Sequence, residues 1–165
     1  MTASWTPAYV ALGSNLDDPC AQVGRAFDAL ATLPDTRLVA RSPSYRSAPL
    51  GPVSQPDFVN AVAGLLTQLA PRALLDALKS LEAALGREAP VVRWGPRRID
   101  LDLLVHGAAR VEEPGLSVPH PGLAERAFVL LPLADVAPDL EVPGLGRVRS
   151  LAARVGSQGL ARIPG

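Results

Sequence analysis

The stretch from Phe58 to Gly86, FVNAVAGLLTQLAPRALLDALKSLEAALG, decides the fold. Its first part, Phe58 to Leu66, is an apolar run of strand length. Pro71 then opens a helix, a position that suits proline because the first helical N–H has no partner there. Leu74, Leu78, Leu81 and Leu85 form its apolar stripe, and Gly86 is placed as a C-terminal cap. Downstream, Arg87 to Gly95 is polar and irregular. Ile99 to Val105 begins as an alternating strand, with Ile99, Leu101 and Leu103 on one face and Asp100 and Asp102 on the other. Upstream, Ala48 to Pro56 is a loop, and Arg37 to Ser47 is extended, with Pro43 tolerated only at an edge or bulge. Asp17, Asp18 and Pro19 start a helix through Val23, Phe27 and Leu30 that Pro34 closes. Ala8 to Leu12 reads as a buried strand stopped by a turn at Gly13-Ser14-Asn15.

The resulting order is strand, helix, strand, strand, helix, strand. That is the ferredoxin-like β-α-β-β-α-β pattern, an α+β class with a mostly antiparallel sheet and both helices on one face. The last third is expected to add short strands and one or two helices, one around Leu123 to Leu131. Residues 156–165 read as a loose tail of a single domain spanning 1–165.

The 165 residues are 48% hydrophobic and 19% charged, enough apolar material for a core and unlike a disordered chain. Basic and acidic residues balance at 16 each, so the basic excess of a nucleic-acid or anionic-membrane binder is missing. Lys79 is the sole lysine among the 16 basic residues, a skew that a GC-rich genome also produces. Cys20 stands alone, which excludes an internal disulfide and a cysteine zinc cage. No signal peptide or spanning segment is read, so the expected location is the cytoplasm.

Asp100-Leu101-Asp102 is the sharpest chemical feature. Two carboxylates two residues apart on a strand share a face, about 6.5–7 Å apart. They suit magnesium, which takes one or two carboxylates together with water and phosphate oxygens. Alternating acids on the solvent face of an amphipathic strand would look the same. Immediately upstream, Arg93-Trp94-Gly95-Pro96-Arg97-Arg98 supplies cations of the kind a polyphosphate needs, although one of these arginines could equally be solvated. Between Gly86 and Asp102 lie four arginines and three acids, a local arrangement hidden by the zero net charge. His120, with Arg126 and Phe128 shortly after, is a candidate phosphate donor or a structural histidine. Gly13-Ser14-Asn15 lacks the lysine and flanking glycines of a phosphate loop, and His106 has no such neighbours and is given no role.

These segments together resemble the 6-hydroxymethyl-7,8-dihydropterin pyrophosphokinase family. The resemblance runs through Tyr9-Val10-Ala11-Leu12-Gly13-Ser14-Asn15-Leu16, Pro49-Leu50-Gly51-Pro52 and Gln55-Pro56-Asp57-Phe58-Val59-Asn60. It is densest from Arg93 to Leu104 and ends in Val118-Pro119-His120-Pro121, Arg126-Ala127-Phe128-Val129-Leu130 and Pro132-Leu133. It implies transfer of pyrophosphate from ATP to the hydroxymethyl group of the pterin, leaving AMP, in folate biosynthesis. It also implies two Mg2+ ions held by Asp100 and Asp102, with Arg97 as a further catalytic residue. Phe58 and Phe128 would sandwich the pterin, Asn60 would bond its polar edge, and Ser47, Ala48 and Leu50 would add backbone contacts. Trp94 and Asp100 would border the same ring. Glu82, Arg87, Arg93, Trp94, Arg97, Leu103, His120 and Arg126 fall on the ATP side. Nucleotide contacts at Lys79 and Pro121 are not carried over. The expected partners are these small molecules alone, with no nucleic acid and no membrane, and the expected state is a monomer. A non-catalytic binding module on the same fold is the competing reading, and AMP formation separates the two.

Overall fold

Along β1 (Thr6–Ser14) the side chains alternate between two environments. Ala8, Val10 and Leu12 are buried on one face, and Tyr9, Ala11 and Gly13 point to the other. The computed structural model describes residues 4–16, 18–48, 56–86, 99–157 and 159–164. Leu50, Arg87, Arg93, Trp94 and Arg97 lie outside the described residues. β1 is flanked by β4 (Phe58–Thr67) and β5 (Asp100–His106), both antiparallel to it. The far edge of β4 pairs with β2 (Thr36–Arg41) and then with β3 (Tyr45–Ser47). With α1 (Pro19–Leu30) after β1 and α2 (Pro71–Gly86) after β4, this is the expected ferredoxin-like order in an antiparallel sheet.

Both expected helices pack on one face. Val23, Ala26, Phe27 and Leu30 of α1 and Leu74 and Leu78 of α2 share one core with Ala8, Val10, Leu12, Leu101 and Leu103. Asp18 caps α1, its Oδ1 accepting from the Ala21 N–H at 3.4 Å, and Pro19 takes the first helical turn. The opposite face is covered too. α3 (Ala127–Val136) and α4 (Val148–Val155) pack there in a second core with Val62, Leu104 and Val105. A register shift between Tyr9 and Val10 leaves Leu104 without a cross-strand partner, so Leu104 and Val105 both reach that core. The sheet is therefore the middle of three layers. Among the described residues no helix is long and apolar enough to cross a membrane.

Four local expectations are corrected. β1 continues through Gly13 and Ser14, so the glycine lies inside a strand paired on both sides and not in a turn. The extended stretch Arg37 to Ser47 divides into β2 and β3. Pro43 has no N–H to give to a ladder, and at the break the Val62 N–H donates to the Ser42 Oγ at 2.8 Å instead. The helix expected over Leu123 to Leu131 is a short 3-10 turn (Leu123–Glu125), an extended Arg126, and then α3, which runs to Val136. Residues 156–165 do not form a loose tail throughout, because β10 (Leu160–Arg162) pairs with β3 as an edge strand. The hairpins β6 (Val111–Glu113) with β7 (Leu116–Val118), and β8 (Glu141–Val142) with β9 (Gly146–Arg147), supply the expected short strands.

Candidate active site

Opposed residues of an antiparallel pair point to the same face, so the register lines up a row across four strands: Tyr45, Asn60, Gly13, Asp100. The next row brings Val62, Ala11 and Asp102 together, and Ser47 faces Phe58. All lie on the α3 side of the sheet. Glycine and alanine occupy the middle of the two rows, which leaves a hollow between the amide of Asn60 and the two carboxylates. A cleft of about 240 Å³ opens over that hollow, floored by Ala11 and Gly13 and roofed by Phe128 of α3.

Nine of the expected site residues line this one cleft: Ser47, Ala48, Phe58, Asn60, Asp100, Asp102, His120, Arg126 and Phe128. The Asn60 Nδ2 donates to Ser47 Oγ at 2.7 Å, and the Asn60 Oδ1 lies on the Gly13 side, 3.4 Å from where a Cβ on Gly13 would stand. The amide is thereby held with one of its two N–H groups on Ser47 and its carbonyl on the Gly13 side. Asn15 ties the end of β1 to the segment before Phe58, its Nδ2 donating to the Pro56 carbonyl at 3.0 Å.

The two phosphate-donor candidates share a turn. The His120 N–H donates to the Leu104 carbonyl at 2.9 Å, anchoring that turn beside the acid-bearing strand. The Gly122 N–H donates to His120 Nδ1 at 3.1 Å, which places the ring proton on Nε2. Burial lowers the His120 pKa; Asp102 works against that shift and Arg126 with it. His120 thus stands as a neutral ring that donates from Nε2. The guanidinium of Arg126 packs where Gly122 has no side chain, since a Cβ there would meet Arg126 Nε at 2.6 Å. It also sits 5.9 Å from the centre of the Phe128 ring.

Two expected residues are not in the cleft. The Leu103 side chain is 3% exposed in the core beneath α1 and α2, on the face opposite the acids. Glu82 reaches from α2 to the same strand, where its Oε2 accepts the Leu101 N–H at 2.6 Å and its Oε1 meets Lys79 Nζ at 3.3 Å. It supports the backbone between the two acids. Residue-by-residue reading of the sequence missed Ala11, Gly13, Leu104 and Val129, which also line the cleft. For Ala11 and Gly13 the signal is their place in the register, and for Leu104 the shift in it, which a single strand's pattern does not contain; Val129 comes in with α3.

Among the described residues no group of three or more histidine, cysteine or acidic side chains could hold a metal ion. Asp100 and Asp102 both line the cleft, and a pair of carboxylates is a donor set that magnesium takes together with water and phosphate oxygens. One cleft thus brings together two phenylalanine rings, a carboxylate pair, an imidazole and a guanidinium.

Residues 9–138 match the 7,8-dihydro-6-hydroxymethylpterin-pyrophosphokinase (HPPK) family. The chain belongs to that family. It is 53% identical over 157 residues to the 2-amino-4-hydroxy-6-hydroxymethyldihydropteridine pyrophosphokinase of Pseudomonas aeruginosa, covering 95% of this chain and 96% of that protein. The enzyme of the same name from Methylorubrum extorquens is 45% identical over 158 residues, covering 96% of this chain and 99% of that protein. Among solved structures, a Plasmodium falciparum HPPK-DHPS with pteroate superposes with a TM-score of 0.76 at 14% identity over 99% of this chain. The HPPK fold is thus shared, and this chain spans 48% of that fused protein.

Proposed function

We propose that this chain transfers the pyrophosphoryl group of ATP to 6-hydroxymethyl-7,8-dihydropterin, forming the pterin diphosphate and AMP for folate biosynthesis. The observation that carries the reading at residue level is the single cleft in which Asp100 and Asp102 stand beside Phe58, Phe128, His120 and Arg126. The pterin lies between the rings of Phe58 and Phe128, and the Asn60 carbonyl accepts from its amino edge. Ser47, Ala48 and Leu50 complete that edge, with Trp94 and Asp100 bordering the ring.

The pterin hydroxyl oxygen attacks the β-phosphorus of ATP in line. The bond from that phosphorus to the oxygen it shares with the α-phosphorus breaks, AMP departs with the oxygen, and the hydroxyl proton is released. Asp100 and Asp102 would hold magnesium, two ions, which when bound would neutralise the triphosphate and help orient it. Nε2 of His120 and the guanidinium of Arg126 donate to phosphate oxygens, joined by Arg97, Arg87 and Arg93. Glu82 and Trp94 belong to the nucleotide side, Glu82 through the Leu101 backbone, and Leu103 joins it only through its own backbone, since its side chain lies in the core. No covalent intermediate is required; positioning and charge neutralisation carry phosphoryl transfer. The chain acts as a cytoplasmic monomer built from one domain over residues 1–165.

The test is AMP release measured with pterin, ATP and magnesium together and with each left out. Product only in the complete mixture supports the reading. AMP release without the pterin, or none in the complete mixture, contradicts it.

A further inference from the structure

The phenol of Tyr45 donates to Asp135 Oδ2 at 2.5 Å, joining β3 to α3. Tyr45 is 8% exposed, whereas Asp135 is exposed on α3. Each partner sits on an element that carries a wall of the cleft. Tyr45 shares a face of β3 with Ser47 and pairs across the strands with Asn60, while Ser47 pairs with Phe58. Asp135 lies about two turns beyond Phe128 on the same stripe of α3. The bond therefore spans the two bodies whose separation sets the gap between the Phe58 and Phe128 rings.

Three observations say that this gap needs an external hold. Pro132 lies inside α3 and has no N–H for the Phe128 carbonyl one turn earlier, so the turn carrying the ring has one backbone bond fewer to the rest of the helix. β3 is only three residues long. Its outer neighbour β10 is equally short and sets Arg162 opposite Tyr45. Short elements of this kind owe their placement to tertiary contacts. A hydrogen bond to a carboxylate is stronger and more directional than one between neutral groups.

We infer that Tyr45 and Asp135 are a positioning pair, which fixes the distance between the β3–β4 wall and the α3 wall and so the width of the slot for the flat ring. The inference rests on the assignment of that slot to the pterin. Burial, then the bond to Asp135, push the phenol up to about 12, so it remains a donor across the range in which such an enzyme works. Neither residue touches the substrate; each acts through Ser47, Asn60 and Phe128.

The experiment compares Tyr45→Phe, Asp135→Ala and Asp135→Asn in the full chain, varying pterin and ATP separately and recording Tm. Asp135 is exposed, so its truncation leaves the core intact even if the tyrosine variant folds poorly. A positioning pair predicts that Tyr45→Phe and Asp135→Ala raise the pterin KM by about five- to tenfold, with the ATP KM within about twofold. Asp135→Asn, which keeps an acceptor for the phenol, recovers most of the loss. A fall in Tm with an unchanged pterin KM, or equal rises in both KM values, overturns the inference and leaves a purely structural bond. Failure of the functional assignment shows differently, as a wild-type chain that releases no AMP.

Discussion

Gly13 has no side chain at the point where four strands bring Asn60 and Asp100 to the same face. A Cβ there would make only ordinary contacts, at 3.4 Å to Asn60 Oδ1 and 4.0 Å to the Phe58 ring. Gly13→Ala should therefore fold normally, yet its methyl would stand on the floor of the cleft. The expected outcome is an unchanged or slightly raised Tm and a pterin affinity about tenfold weaker, read by calorimetry. Normal affinity in that variant would show that the ring does not lie over this hollow. The two tyrosines offer an independent check on burial. Tyr9 is raised by burial and Tyr45 is pushed up to about 12. A raised phenol pKa means that the stabilising contribution is whole below pH 10.0 and is lost as pH climbs through about 12. Absorbance titration should show far less tyrosinate in the folded chain at pH 10 than in the denatured chain. Equal curves would remove the donor role given to Tyr45.

At the scale of the element, the turn between β7 and α3 aims two groups at once. Gly122 fixes the His120 tautomer through its N–H and makes room for Arg126 by lacking a side chain. Gly122→Ala keeps the N–H but displaces the far end of a flexible arginine, which costs little stability. Its ATP KM should rise several-fold while Tm and pterin KM hold; a variant with wild-type ATP KM would take Arg126 off the nucleotide. Removal of residues 157–165 deletes β10 and leaves β3 unpaired on its outer edge. Thermal unfolding should then fall by several degrees, whereas a loose tail would leave Tm untouched. These elements also mark what was legible in the sequence. The stripe of α2 and the alternation of Ile99 to Leu103 carry their own periodicity, so the core order and the acid pair could be read directly. The division of Arg37 to Ser47 depends on where Ser42 meets Val62, and β10 has only three residues and exists by pairing with β3. Arg126 stands extended between a 3-10 turn and α3, so a continuous helix over Leu123 to Leu131 follows from composition alone and not from the chain's path. Phe58 and Phe128 in isolation read as core; only the motifs around them, and then the cleft, give them another role.

Across the whole molecule, the sheet separates two tasks. The face under α1 and α2 is packed with apolar side chains, and the face under α3 and α4 divides between core and cleft. Leu78→Ala, in the first core and away from the cleft, should cost about 2–5 kcal/mol in denaturant unfolding while leaving both KM values unchanged. The acids, by contrast, sit half-buried at the cleft. In the proposed reaction one cleft joins the pterin to the magnesium–triphosphate through Asp100 and Asp102. The most direct test is the rate of AMP formation from ATP and 6-hydroxymethyl-7,8-dihydropterin in Asp100→Asn and Asp102→Asn beside the wild type, with Tm recorded for each. The expected result is a wild-type rate that needs pterin and magnesium, and at least about a hundredfold loss in both variants at unchanged Tm. Turnover at the wild-type rate in either folded variant would contradict it.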